Sequence, residues 1–153
     1  MPVSFKVIDN RTSISKKIKE LEQKLDNFRR YFLEEMAHSL ITLSPADTGN
    51  YIQSHRIAYG TVGGTTTSIG KKRYKDAAKG MFAPAAEAQL LSDIAALPTD
   101  GAMTSIKFTN IADYADKVEY TGWQYTGPYR TYTITRNNAN IHVESAAAKA
   151  GLK

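Results

Sequence analysis

Asp113, Asp116 and Glu119 recur every third residue, and three carboxylates on one side of a helix can hold a divalent cation. No compact ligand loop accompanies them, so the spacing reads first as a solvated helix face and no metal is assigned. The histidines His38, His55 and His142 lack a second histidine at i+4 and a carboxylate at metal-site spacing, which points to surface or packing roles. The glycine-rich stretch before Lys71 invites comparison with a phosphate loop. Five residues separate Gly64 from Gly70 where that loop has four, and Lys72 stands where a magnesium-binding Ser or Thr is required. Ser, His and Asp all occur, yet no Gly-x-Ser-x-Gly nucleophile elbow is present. The absence of cysteine removes thiolate catalysis, disulfides and Cys-ligated zinc. These residues call for no cofactor, and the chain reads as a non-enzyme.

Two other groups suit binding. The net charge of +5 is unevenly placed: residues 1–80 carry 14 Lys or Arg against 8 Asp or Glu, and residues 81–153 carry 6 against 7. Lys71, Lys72, Arg73, Lys75 and Lys79 lie close together with only Asp76 opposing them. Such a cluster suits phosphate contacts, although a run of charge is first of all the composition of a solvated, flexible loop over about residues 60–80. Tyr114, Tyr120, Trp123, Tyr125, Tyr129 and Tyr132 crowd one stretch, a density that suits an assembly interface or a small core.

The elements that must position these groups begin with a long amphipathic helix. Ile14, Ile18, Leu21, Leu25, Phe28, Phe32, Met36 and Leu40 are spaced by fours and threes, which is a helical stripe. Ser13 is the expected N-cap, and Pro45 disfavours helix at the residue before it, so the helix should close near Leu43. It would be ~45 Å long, more than one small domain needs to cover its core, so part of it should meet another chain. Residues 2–8 alternate and read as a short strand or arm. A strand is expected from His55, and a helix from Pro84 that stops before Pro98. A further strand is expected over Thr104–Thr109, then a short helix capped by Asn110 and ended by Gly122. Tyr129–Thr135 alternates Tyr and Thr and reads as a strand, and Ala139–Ala150 as a terminal helix finishing at Gly151. The chain is long enough for one domain of α+β class, a long helix packed on a small, mostly antiparallel sheet with additional short helices. No run approaches the ~20 apolar residues of a membrane span, so no membrane partner is expected.

Two of these stretches, in this order, resemble a known family. The long helix followed by Ser44-Pro45-Ala46-Asp47-Thr48-Gly49-Asn50-Tyr51 is similar to the Thr/Ser-Pro-x-Asp-Thr-Gly turn of the tail-completion or neck protein family of tailed bacteriophages. The stretch Asn110 to Gly122 resembles that family's Asn-x-x-x-Tyr-Ala-x-x-x-Glu-Tyr-Gly, matched by Asn110, Tyr114, Ala115 and Glu119, with Thr121 inserted before the glycine. Gly60 to Asp100 has no counterpart. The resemblance implies a structural virion protein, assembled in the host cytoplasm, that forms a six-fold or twelve-fold ring in the neck, completes the tail and joins it to the head. Its neighbours would be other copies of itself and other neck, portal-side and tail-tube proteins. Pro45 and Gly49 would set a sharp reversal whose free amides Asp47 and Thr48 could satisfy. The basic cluster would face the DNA passage and touch phosphates without reading sequence. Phe28, Phe32, Tyr120, Trp123 and Tyr125 become candidates for the subunit interface. The alternative is a stand-alone, sequence-nonspecific nucleic-acid-binding protein built around the same basic cluster.

Overall fold

The computed structural model describes residues 11–46, 49–67, 79–99, 103–122, 124 and 127–153. Helix α1 spans Arg11–Leu43, ends where Pro45 requires, and already contains Ser13, which is therefore no cap. A short helix α2, Asn50–Gln53, leads into strand β1, His55–Tyr59. Helix α3 is Lys79–Ala95, and a 3₁₀ turn at Met103–Ser105 precedes strand β2, Ile106–Asn110. A π turn at Lys117–Thr121 is followed by helices α4, Thr131–Asn137, and α5, Ala139–Lys149. The class is α+β, as the patterning implies. Among the described residues the sheet is the antiparallel pair β1 and β2, with His55 opposite Asn110, Ile57 opposite Phe108 and Tyr59 opposite Ile106. The expected strand over residues 2–8 lies outside the described residues.

The core lies where α1, α2, β1 and α3 meet. Leu33, Ala37 and Ile41 pack with Ile52, Ile57, Ala86, Leu90 and Ile94, and Phe82 and Phe108 close the edges. Helices α4 and α5 also pack on α1. The backbone amide of Ile57 donates to the Asp93 carboxylate of α3 at 3.0 Å, which satisfies a strand-edge donor that no other strand reaches among the described residues.

Helix α3 and the stretch after Tyr129 also depart from expectation, for physical reasons. Helix α3 begins before Pro84 and carries that proline inside it. The cost of the missing amide falls on the carbonyl of Gly80, an exposed residue with open space around it. Packing of Phe82 against the core holds this extra first turn in place. Residues Tyr129–Thr135 are not a strand, because Thr131 onward is helix α4. Thr131 and Thr135, one helical turn apart, are both buried, and Thr135 Oγ1 lies 3.0 Å from Ser39 Oγ of α1. An alternating Tyr and Thr pattern contains this i,i+4 pair as well, and contact with α1 selects the helical reading.

Candidate functional site

The turn after α1 reverses the chain against α3. Gly49 has φ 75°, a left-handed conformation costly for other residues, and a Cβ there would stand 2.5 Å from the Phe82 ring. Backbone and packing thus both demand glycine. Pro45 and Ala46 are buried beside it, while Asp47 and Thr48 lie outside the described residues.

Ser44 ends the helix with its hydroxyl donating to the Leu40 carbonyl at 2.6 Å. The same oxygen lies 2.6 Å from His55 Nε2. On the other side of the ring, His55 Nδ1 is 2.8 Å from the Tyr132 hydroxyl and 3.2 Å from Asn110 Nδ2. The donor inventory assigns the tautomer. Ser44 has spent its proton on Leu40, so Nε2–H donates to Ser44, and Nδ1 accepts from Tyr132 and Asn110. His55 is therefore neutral, and burial drives its pKa down to about 3. Ser44 and His55 look like a catalytic dyad in appearance only. Both are buried, and the proton points from histidine to serine, the wrong direction for a general base to activate the hydroxyl.

Asn110 ties this histidine to the second family-like stretch. Its Nδ2 donates to the Tyr51 carbonyl at 2.8 Å, and its Oδ1 accepts the Ala112 amide at 2.9 Å. Asn110 was expected to cap a helix; instead it ends β2 and caps a turn, and Ala112 bridges to Thr66. The Tyr51 ring meets the His55 ring edge-on at 5.1 Å and the Tyr114 ring at 6.5 Å. Ala115 and Tyr114 pack around Tyr51, Ala112 and Val118. Burial pushes the Tyr51 and Tyr132 hydroxyls well above the usual phenol range, with the charge of Glu119 adding to it.

Glu119 serves helix α4 from outside it. Its carboxylate accepts the amides of Tyr132 and Thr133 at 3.0 and 2.8 Å, and the Thr133 hydroxyl at 2.6 Å. These are first-turn donors that Arg130, in a left-handed conformation and with no side-chain capping hydrogen bond, leaves free. Glu119 therefore does not share a solvated face with Asp113 and Asp116, which are exposed, and no metal-holding group of carboxylates and histidines forms among the described residues. Gly122, with φ 68°, stops the π turn as its amide donates to the Lys117 carbonyl at 2.7 Å. That wider ring takes in the inserted Thr121.

A second polar cluster joins α1 to α5. Glu35 accepts from Ser145 Oγ at 2.9 Å and pairs with Lys149, with His142 Nδ1 3.8 Å away. The hydrogen bond from Lys149 holds the Glu35 carboxyl below the ordinary range. Beside it a cleft of about 340 Å³ is lined by Glu34, His38, Glu87 and Leu91 among others. His38 Nδ1 is 3.7 Å from Glu87 across it, so two of the three histidines make helix-to-helix contacts and the third is the buried centre just described.

The remaining expected residues scatter. Phe28 and Phe32 are half-buried and stack on each other at 6.2 Å, and Tyr120 is exposed. Trp123 and Tyr125 lie outside the described residues, as do Lys71, Lys72, Arg73 and Lys75. Lys79 is on α3 and donates to the Thr42 carbonyl at 2.7 Å, so it serves the α1 to α3 contact. Sequence reading missed Ser44, His55 and Tyr132 as a unit. The one available signal was a serine ahead of the proline turn with a histidine at the start of the next strand. No family model, curated protein or solved structure matches this chain. No helix among the described residues is long and apolar enough to cross a membrane.

Proposed function

We propose that this chain is a structural component of a tailed-bacteriophage particle, a self-associating neck protein that completes the tail and joins it to the head, with no enzymatic part. The observation that carries the reading is that the two family-like stretches, distant in sequence, fold into one unit. Ser44 at the turn and Asn110 at the head of the second stretch meet on opposite sides of the same buried histidine ring. Glu119 at the end of that stretch then anchors α4, which returns Tyr132 to the ring. Such an arrangement spends its polar groups on holding four elements rigidly and offers no accessible reactive group, as suits a part whose task is to keep its shape in an assembly.

Interrupting the reading frame in the genome that carries it supplies the test. The expected phenotype is filled heads and separate tails by electron microscopy, with joining restored by adding the purified chain. Normal yields of joined particles without the protein refute the neck role.

A further inference from the structure

The described part of α1 is one helix with two environments. From Arg11 to Asp26 every residue is exposed, including Ile14 at 56%, Ile18 at 52%, Leu21 at 52% and Leu25 at 50%. These four are spaced 4, 3 and 4, and Phe28 and Phe32 continue the spacing into the domain. A repeat averaging 3.5 residues is the seam of a coiled coil, with Ile18 and Leu25 at a, and Ile14, Leu21 and Phe28 at d. An isolated helix face has no reason to keep that period, since covering a globular core calls for a wider stripe.

The charges flanking the seam select the partner and its direction. Lys17 and Lys24 occupy g, and Glu22 and Arg29 occupy e. In a parallel pair each g residue faces the e residue five positions on in the other helix, so Lys17 meets Glu22 twice by symmetry. In an antiparallel pair g faces g, and the lysines would oppose each other. The next parallel contact, Lys24 with Arg29, is repulsive, and there the free helix ends: Arg29 is bound to the carbonyls of Pro98 and Thr99 at 2.7 Å each. The coil therefore stops where the domain begins. The seam layers are mixed: Ile18 at a with Leu21 at d suits two strands, whereas Ile14 at d and Leu25 at a do not, so the sedimentation experiment below also reads the number of strands.

We propose that the N-terminal half of α1 pairs with the same segment of a second copy as a parallel, in-register coiled coil, over about two heptads. Two heptads are marginal alone, so the pairing is reversible and concentration-dependent. The inference rests on the period and charge of α1 and stands whether or not the neck role holds.

The chain has no cysteine, so one introduced thiol reports register without interference. Ile14→Cys in the full chain should form a disulfide-linked dimer under mild oxidation, in ~10-fold higher yield than the outward-facing Lys16→Cys or than Ile14→Cys combined with Leu21→Glu and Leu25→Glu. Sedimentation equilibrium should show the wild type self-associating and Leu21→Glu/Leu25→Glu shifted toward monomer at least ~10-fold, with the thermal midpoint of the dilute protein unchanged. Lys17→Glu and Glu22→Lys should each weaken association ~3–10-fold, and together restore it. Equal cross-linking in the three cysteine variants overturns the proposal. So does a fall in the dilute protein's midpoint on Leu21→Glu/Leu25→Glu, which would mean that the same chain covers the stripe.

Discussion

The two halves of α1 obey the same helical grammar and have opposite fates. In the C-terminal half, Leu33, Ala37, Leu40 and Ile41 are buried, and the helix ends in Ser44, whose hydroxyl belongs to a closed set of hydrogen bonds. In the N-terminal half Ile14, Ile18, Leu21 and Leu25 stand in the open. Periodicity says that a face is apolar, and only the neighbours say what it is apolar for. The difference separates shape held within one chain from the contact between copies proposed above.

The largest effect expected within the buried region comes from acid. His55 has a folded pKa near 3 against an ordinary value of 6.5, so the unfolded chain takes up a proton in that interval and the folded chain does not. The associated stability is complete above pH 6.5, is lost as pH falls toward 3, and amounts to on the order of 4 kcal/mol. Denaturant titrations across this range should show the slope, and His55→Asn should flatten it. Glu35, whose pKa is lowered, adds a loss of the same sign below about pH 4.5 that His55→Asn leaves in place.

Gly49→Val comes next. A β-branched residue at positive φ, with its Cβ driven into the Phe82 ring, should cost ~2–4 kcal/mol in chemical denaturation, whereas Gly63→Val, which meets no atom within 4 Å, should cost under ~1 kcal/mol. Similar losses at the two glycines would remove the Phe82 contact from the account.

Leucine truncations put the comparison of the two halves to a direct measurement. Leu40→Ala should destabilise the monomer by ~2–4 kcal/mol, because Leu40 is 1% exposed. Leu21→Ala should change monomer stability by less than ~0.5 kcal/mol and register only in self-association. A large loss at Leu21 in dilute protein would merge the halves into one core.

The smallest contrast lies inside the hydrogen-bonded set. Tyr132→Phe removes a donor to His55 and should cost ~1–2 kcal/mol. The Tyr51 hydroxyl is buried beside Thr131 with no well-aligned hydrogen bond, so Tyr51→Phe should be close to neutral, within ~0.5 kcal/mol. Equal costs for the two changes would show that the ring packing, and not the hydroxyl, is what Tyr132 supplies.

Local chemistry in the sequence determined the end of α1 at Leu43, the start of β1 at His55 and the extent of α5, since each depends on residues within a turn of itself. The α+β class followed from counting those elements. Tertiary structure alone decided the rest. Tyr129–Thr135 passed for a strand because its alternation is local, whereas the Glu119 carboxylate that caps α4 arrives from a different element. Helix α3 runs ahead of Pro84 because Phe82 is held by packing. His55 became the centre of a site because Ser44, Asn110 and Tyr132, drawn from three separate elements, converge on its two nitrogens, and burial then set its charge. A hydrogen bond across 55 or 77 residues leaves no period in the chain, so no reading of spacing could have placed it.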